Sequence, residues 1–259
     1  MRPRLTLLAA ALVVSGCIDW DSLSTNYEPT GSSQTGGGAA GGGGGGAPAE
    51  PFCASLSPKP LVCNDFDGVG PLVDWSSVTD PPGGSQAIDE MIFLSGHASL
   101  RAEIPADGDT FFSTTIVKPL SVQASTVKLG LDLRIEHASA DPMVVAAATF
   151  AFGPACGVGI EVIENGARAV QWTDTVDTPF AFAALPGSPA APGWARIELV
   201  YVAEGTPTVS LYVDGVPAYE NEPAPGCAPS EPEISVGINY TPPGDGWIVN
   251  IDNLVVDAF

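Results

Sequence analysis

Positive charge is what this sequence has least of. Its 259 residues hold 9 Lys and Arg against 30 Asp and Glu, a formal net charge of −21 at pH 7. A surface of that sign repels phosphate backbones and anionic headgroups, which excludes nucleic acid as a partner. Histidine is almost absent, with only His97 and His137 present, and no CxxC occurs. A zinc site therefore has too few ligands. HExxH, GxSxG and the phosphate-cradling Gly-rich loop are missing as well, which removes the chemistry tied to each motif. Helical periodicity is nearly absent, and Pro and Gly recur every few residues.

What stands at the start is an export signal. Arg2 and Arg4 precede the apolar run "LTLLAAALVV", which is too short to span a bilayer as a mature helix. "VVSGC" then places Ser15 and Gly16 before Cys17. This resembles the bacterial lipobox, which implies a signal peptide over residues 1–16, lipidation of Cys17 and a membrane contact through the lipid anchor alone. An ordinary secretory signal with an incidental cysteine is the alternative. Ile18, where an Asp would otherwise retain the protein, resembles lipoproteins sent to the outer membrane. The expected location is the bacterial cell envelope, lipid-anchored at the outer membrane. Removing the leader takes away two arginines and no acid, so the mature charge is −23.

Residues 17–50 read as a tether. There is no apolar periodicity, and residues 31–46 contain ten glycines. A flexible chain of ~33 residues spans about 30 Å, enough to lift a domain off its anchor. Beyond it, Cys53, Cys63, Cys156 and Cys227 form an even set suited to disulfides in an oxidising compartment. Cys53 with Cys63 would close a short loop, and Cys156 with Cys227 would join two distant ones. Four cysteines allow three pairings, and the sequence does not choose among them.

Residues 51–259 carry the alternation of half-buried strands. "TVKLGLDLRIE" (126–136) puts Val127, Leu129, Leu131, Leu133 and Ile135 on one face and Lys128, Asp132, Arg134 and Glu136 on the other. "WARIELVYV" (194–202), "TVSLYVDG" (208–215), "EISVGINY" and "WIVNIDNLVV" repeat the pattern. The Ala-rich "MVVAAATFAF" (143–152) is read as a buried strand because of its β-branched and aromatic members. The fold class expected is all-β, an antiparallel two-sheet β-sandwich.

Two stretches carry resemblances. "WARIELVY" followed by "VSLYVDGVPAY" is similar to the paired strands of laminin-G-like and concanavalin A-like jelly rolls. There Asp-Gly makes the hairpin turn, and the Trp, here Trp194, is expected to bury its ring in the core. "CNDFDGVGPLVDW" (63–75) and the closing "VNIDNLVVDAF" resemble the first and last strands of jelly-roll carbohydrate-binding modules. In those modules the two strands lie together and share a structural calcium. The resemblance implies Asp67 and Asp252 as calcium ligands, with main-chain oxygens completing the shell. The alternative is that Asp65 and Asp67 cap a turn while Asp252 faces water. "DFDGVG" is not an EF-hand loop, since Val69 stands where a third oxygen ligand belongs and the twelfth position, which needs Glu, is Ser76.

Catalysis is poorly supported. Concanavalin A-like glucanases carry Glu-x-Asp-x-Glu, whereas "DLRIE" has Asp132, Arg134 and Glu136 at those positions. Positions four apart in a strand are ~13 Å apart, beyond the spacing of glycosidase carboxyl pairs. An Arg between them also lowers carboxyl pKa values, the wrong direction for a general acid. Glycan binding needs only a polar face and stacking aromatics. Arg134, Glu136, Glu198 and Tyr212 are expected to line such a face, with Trp172 and Trp247 as platforms. The expectation is thus a monomeric, surface-anchored jelly-roll lipoprotein with a non-catalytic domain that binds a glycan or an envelope surface partner. A protein-interaction or adhesion module is one alternative, and a divergent glycoside hydrolase or polysaccharide lyase another.

Overall fold

The computed structural model describes residues 51–80, 83–106, 112–138, 145–153, 155–174, 177–185, 187–188, 191–228, 232–241 and 246–259. The leader, Cys17 and the Gly-rich tether lie outside them. A single helical turn, α1 (Phe52–Ser55), precedes β1 (Val62–Asn64), β2 (Ser76–Asp80), β3 (Ser85–Asp89), β4 (Ser99–Ile104), β5 (Phe112–Pro119) and β6 (Thr126–His137). Next come β7 (Val145–Gly153), β8 (Cys156–Ile163), β9 (Gly166–Thr173), β10 (Asp177–Pro179) and the two-residue strands β11 (Ala183–Ala184), β12 (Gly187–Ser188) and β13 (Ala191–Pro192). The chain closes with β14 (Trp194–Val202), β15 (Thr208–Val213), β16 (Val216–Pro223), β17 (Glu233–Thr241) and β18 (Trp247–Ala258).

Most of these strands build two antiparallel sheets, while β12 and β13 pair only with each other. Sheet 1 runs β16-β15-β14-β6-β18-β4-β3, with β1 also on β18. Sheet 2 runs β10-β9-β8-β7-β17-β5-β2, with β11 beside β9. The alternation seen in the sequence decides the packing. Val127, Leu129, Leu131 and Leu133 of β6 are buried, as are Ile197, Leu199 and Tyr201 of β14. They meet Phe150, Phe152, Val158, Ile160, Ile234 and Val236 from sheet 2 in one core. The Ala-rich segment forms β7, a core strand, as its Phe and Val residues favour. The fold is a jelly-roll β-sandwich.

Parity also corrects one expectation. With Ala195, Ile197 and Leu199 facing in, Trp194 must face out. It lies in register with Arg134 and is only half-buried. The Trp that fills the core is Trp247, which is 1 % exposed. The Asp214–Gly215 turn behaves as read, with φ of 51° and 73° at the two positions, the signature of a tight hairpin. Its carboxylate also accepts from the main-chain N–H of Arg196 at 2.9 Å, tying the turn to β14.

The last strand has an unusual pairing. Its first half, Trp247–Ile251, pairs with β4, and Leu254–Val256 pair with β1 on the same edge. Between them Asn253 takes φ of 49° and the register against β6 shifts, which is a bulge. First and last strands therefore do lie together. At the opposite end of the sheets, the Tyr201 hydroxyl donates to the Pro225 carbonyl at 2.8 Å and accepts from Cys227 N–H at 2.9 Å. Gln171 of sheet 2 donates to the same carbonyl at 2.6 Å. The disulfides are Cys53–Cys63 and Cys156–Cys227, with sequence separations of 10 and 71. The first staples α1 to β1, and the second ties the start of β8 to the segment after β16.

Because the entropy lost from the unfolded chain grows with the loop closed, the second bridge should matter more. Replacing Cys156 and Cys227 by Ser is expected to cost about 4 kcal/mol, against about 3 kcal/mol for Cys53 and Cys63. Urea unfolding of the two double variants checks the order.

Candidate functional site

The six ligand residues expected from sequence do not share one surface. Arg134, Glu136, Glu198 and Tyr212 lie on the outer face of sheet 1. Trp172 lies on the outer face of sheet 2, on the other side of the core. Trp247 is enclosed in that core, so it cannot serve as a platform.

The outer face of sheet 1 is rich in charge, but the charges face one another. Arg196 Nη1 is 3.6 Å from Asp132 Oδ2, and its Nε is 3.5 Å from Glu198 Oε1. The same Nη1 donates to the Asn253 carbonyl at 2.8 Å, and Asn253 Nδ2 donates to Asp132 Oδ2 at 2.7 Å. Gly130 makes room for this arrangement, since a Cβ there would meet Arg196 Nη2 at 2.5 Å. The Phe52 ring covers the guanidinium at 5.7 Å, so the N-terminal segment caps the network. Glu198 is consequently buried and held by Arg196, and it is corrected from ligand contact to structural partner. Arg134 Nε donates to Glu136, and the Tyr212 hydroxyl donates to Glu220 at 2.9 Å.

Asp67 and Asp252 hold one loop between them. Asp252 Oδ2 accepts from Leu94 and Ser95 N–H at 2.9 and 3.0 Å, and its Oδ1 accepts from Asn253 N–H at 2.7 Å. Asp67 Oδ1 accepts from His97 and Ala98 N–H at 2.7 and 2.9 Å. Asp252 is 0 % exposed, so the reading in which it faces water does not hold. Asp65 accepts instead from Cys53 N–H at 3.1 Å, in the single turn of α1, while the local turn is held by Asn64 Oδ1 accepting from Phe66 N–H at 2.9 Å. Asp67 Oδ2 is buried without a hydrogen-bond partner, beside Gly96.

The outer face of sheet 2 differs in character. Trp172 lies in register with Gly157. A Cβ on Gly157 would sit 2.1 Å from Trp172 Cζ2, and one on Gly159 would sit 3.5 Å from Cζ3. The indole is thus laid across β8 in the space that side chains at 157 and 159 would fill. Next to it, Arg168 Nη2 pairs with Glu161 at 2.6 Å, and its guanidinium rests 4.5 Å from the Phe182 ring. Beyond Gly159, Thr149 and Ser235 continue the same row onto β7 and β17, and Thr149 donates to Asn239 Oδ1 at 3.3 Å. An aromatic ring beside a floor of small and hydroxyl side chains suits a sugar, whose C–H face stacks while its hydroxyls seek polar partners. Sequence reading missed the glycines. The signal was there in "CGVGIEV", because alternate glycines inside a strand mark a close approach by something else.

No protein-family model matches the chain, and no curated protein matches it in sequence. Solved structures do match. One is the endo-β-1,4-glucuronan lyase of the fungus Trichoderma reesei, at 16 % identity and a TM-score of 0.55, covering 77 % of this chain and 96 % of that one. Another is the cellulose induced protein Cip1, at 13 % identity and 0.54, covering 76 % and 97 %. The binding domain of botulinum neurotoxin DC in complex with SialylT matches at 9 % and 0.51, over 77 % of this chain and 47 % of that one. At these identities the likeness establishes the jelly-roll fold.

Burial raises the Asp132 carboxyl to about 6, against the opposing pull of Arg196 and the Asn253 hydrogen bond. The folded state therefore holds this proton more tightly than the unfolded one. Its stabilisation is full below pH ~4 and is lost as pH rises through about 6, on the order of 2–3 kcal/mol. Asp132→Asn keeps the shape without the titration, so chemical denaturation from pH 4 to 8 should show a flatter stability profile than wild type.

Proposed function

We propose that this chain is a lipid-anchored envelope protein whose jelly-roll domain binds a glycan, without cleaving it, on the outer face of sheet 2. One observation carries the reading: the Trp172 indole laid over Gly157 and Gly159. Two strand positions without side chains weaken a β-sheet, and here the vacated space holds a half-buried aromatic ring. Trp172 supplies the stacking face, and Thr149, Asn239 and the Arg168–Glu161 pair supply hydroxyl partners at its side. The fold neighbours support the direction, since one acts on glucuronan and another carries SialylT. Lipid attachment at Cys17 and the Gly-rich tether, both read from sequence, would hold this face clear of the membrane.

A lyase is the second reading, favoured by the match to the glucuronan lyase over most of its length. β-Elimination from a uronate needs a cation to neutralise the carboxylate and a base to take the adjacent proton. Arg168 lies on the right face, but Glu161 already holds its guanidinium. An adhesion module that recognises a protein of the envelope is the third.

Calcium belongs to the same proposal as a structural partner. Asp67 fits it, because Oδ2 is a buried carboxylate oxygen with no donor. Asp252 fits less well, with both oxygens already accepting main-chain N–H. Among the described residues no three His, Cys, Asp or Glu side chains converge on one point. Main-chain and amide oxygens would then complete the six to eight that calcium takes.

On a glycan array, Trp172→Ala should lose binding at least tenfold while Tyr212→Ala, on the other sheet, retains it. Loss in Tyr212→Ala alone would move the site to sheet 1, and release of unsaturated oligosaccharides would make the protein a lyase. Chelator should lower Tm in wild type but not in Asp67→Asn, as removal of a ligand bound to the native state requires. An unchanged wild-type Tm assigns Asp67 to loop capping alone.

A further inference from the structure

The glycan reading leaves the ligand's charge open, and the placement of ionic groups narrows it. All seven Lys and Arg of the domain are engaged within it. Lys59 donates to the carbonyls of Cys53 and Ala54 at 2.7 and 2.8 Å. Arg101 pairs with Glu103 at 3.0 Å, Lys118 with Asp74 at 3.7 Å, and Arg134 with Glu136. Lys128 lies over the Phe259 ring at 5.7 Å, in register with Asp257. Arg196 serves Asp132 and Glu198. On the outer face of sheet 2, Arg168 is locked to Glu161 and covered by Phe182.

On the β10 side of Trp172, across β9 from the strand the ring covers, the sign is negative. Asp177 of β10 stands directly opposite Trp172, and both Asp177 and Asp174 are exposed. Directly opposed residues in an antiparallel pair project to the same face with Cβ atoms ~5 Å apart. A carboxylate in that position accepts hydroxyls of a neutral sugar as strong, charge-assisted bonds. It repels a uronate carboxylate, for which the face offers no unpaired guanidinium among the described residues. The chain's formal charge of −21 adds a long-range barrier to polyanions.

We propose that the Trp172 site takes a neutral polysaccharide and rejects polyuronates, with Asp177 setting that preference. The proposal rests on the glycan reading above. It sets this protein apart from the glucuronan lyase whose fold it shares.

Affinity electrophoresis of the full chain tests it, through gels holding either mixed-linkage β-glucan, xyloglucan or glucomannan, or glucuronan, alginate or polygalacturonate. Retardation by at least one neutral polymer is expected, at least tenfold stronger than by any polyuronate. Trp172→Ala and the milder Trp172→Phe should both weaken it. Asp177→Ala should weaken neutral binding several-fold, and Asp177→Lys should narrow the gap to the polyuronates. Trp172-dependent retardation by a polyuronate that equals or exceeds the neutral polymers overturns the specificity and leaves the glycan reading standing. No retardation by any polymer, or retardation indifferent to Trp172, overturns both.

Discussion

The last strand changes partner halfway along its length, and much of sheet 1 is organised by how it does so. A strand that pairs first with β4 and then with β1 on one edge must step aside between them. The step is the bulge at Asp252–Asn253, where Asn253 adopts a positive φ. A bulge leaves main-chain groups without ladder partners, and a buried one needs them satisfied locally. Here the Asn253 carbonyl accepts from Arg196, its main-chain N–H donates to Asp252 Oδ1, and its side-chain Nδ2 donates to Asp132. Asp252 reaches the other way to hold the loop before β4. The buried ionic network thus follows from the bulge, and the bulge follows from placing the first strand beside the last.

This constraint divides the two outer faces. Sheet 1 must neutralise buried carboxylates next to its bulge, so it draws in Arg196, Glu198 and the cap of Phe52. Its polar face is occupied by its own chain. The register shifts of sheet 2, between β7 and β8 and between β17 and β5, bring no buried carboxylate with them among the described residues, and its outer face stays small and sparsely charged. A ring can lie down there. Two faces that look equally polar in a strand-by-strand reading have therefore opposite availability to a ligand.

Much of this was legible in the residues, and the reasons for the rest are physical. Strict alternation in 126–136 and 194–202 gave the inward set of β6 and β14, because a half-buried strand allows only one parity. The Asp214–Gly215 turn was legible because few pairs tolerate two positive φ angles. Trp194 and Trp247 were exchanged, since the motif draws attention to the Trp while parity is set by Ile197 and Leu199 further along. Glu198 pointed outward as read, yet outward is not exposed when α1 folds back across the sheet from more than a hundred residues away. The separation of Trp172 from Arg134 and Tyr212 depends on strand order in two sheets, which no local pattern encodes.

The Cys156–Cys227 bridge bears on the proposed glycan site as well as on folding. Cys156 is adjacent to Gly157, the residue under the indole, and lies in register with Thr173, the residue after Trp172. The bridge and the Tyr201–Gln171–Pro225 contacts therefore clamp both strands that carry the ring to the far edge of the other sheet. A binding surface fixed in advance loses little conformational entropy when a ligand arrives. The aromatic floor is held in place by a covalent bond that an oxidising compartment favours, so the environment that keeps the domain stapled would also keep the proposed site in shape.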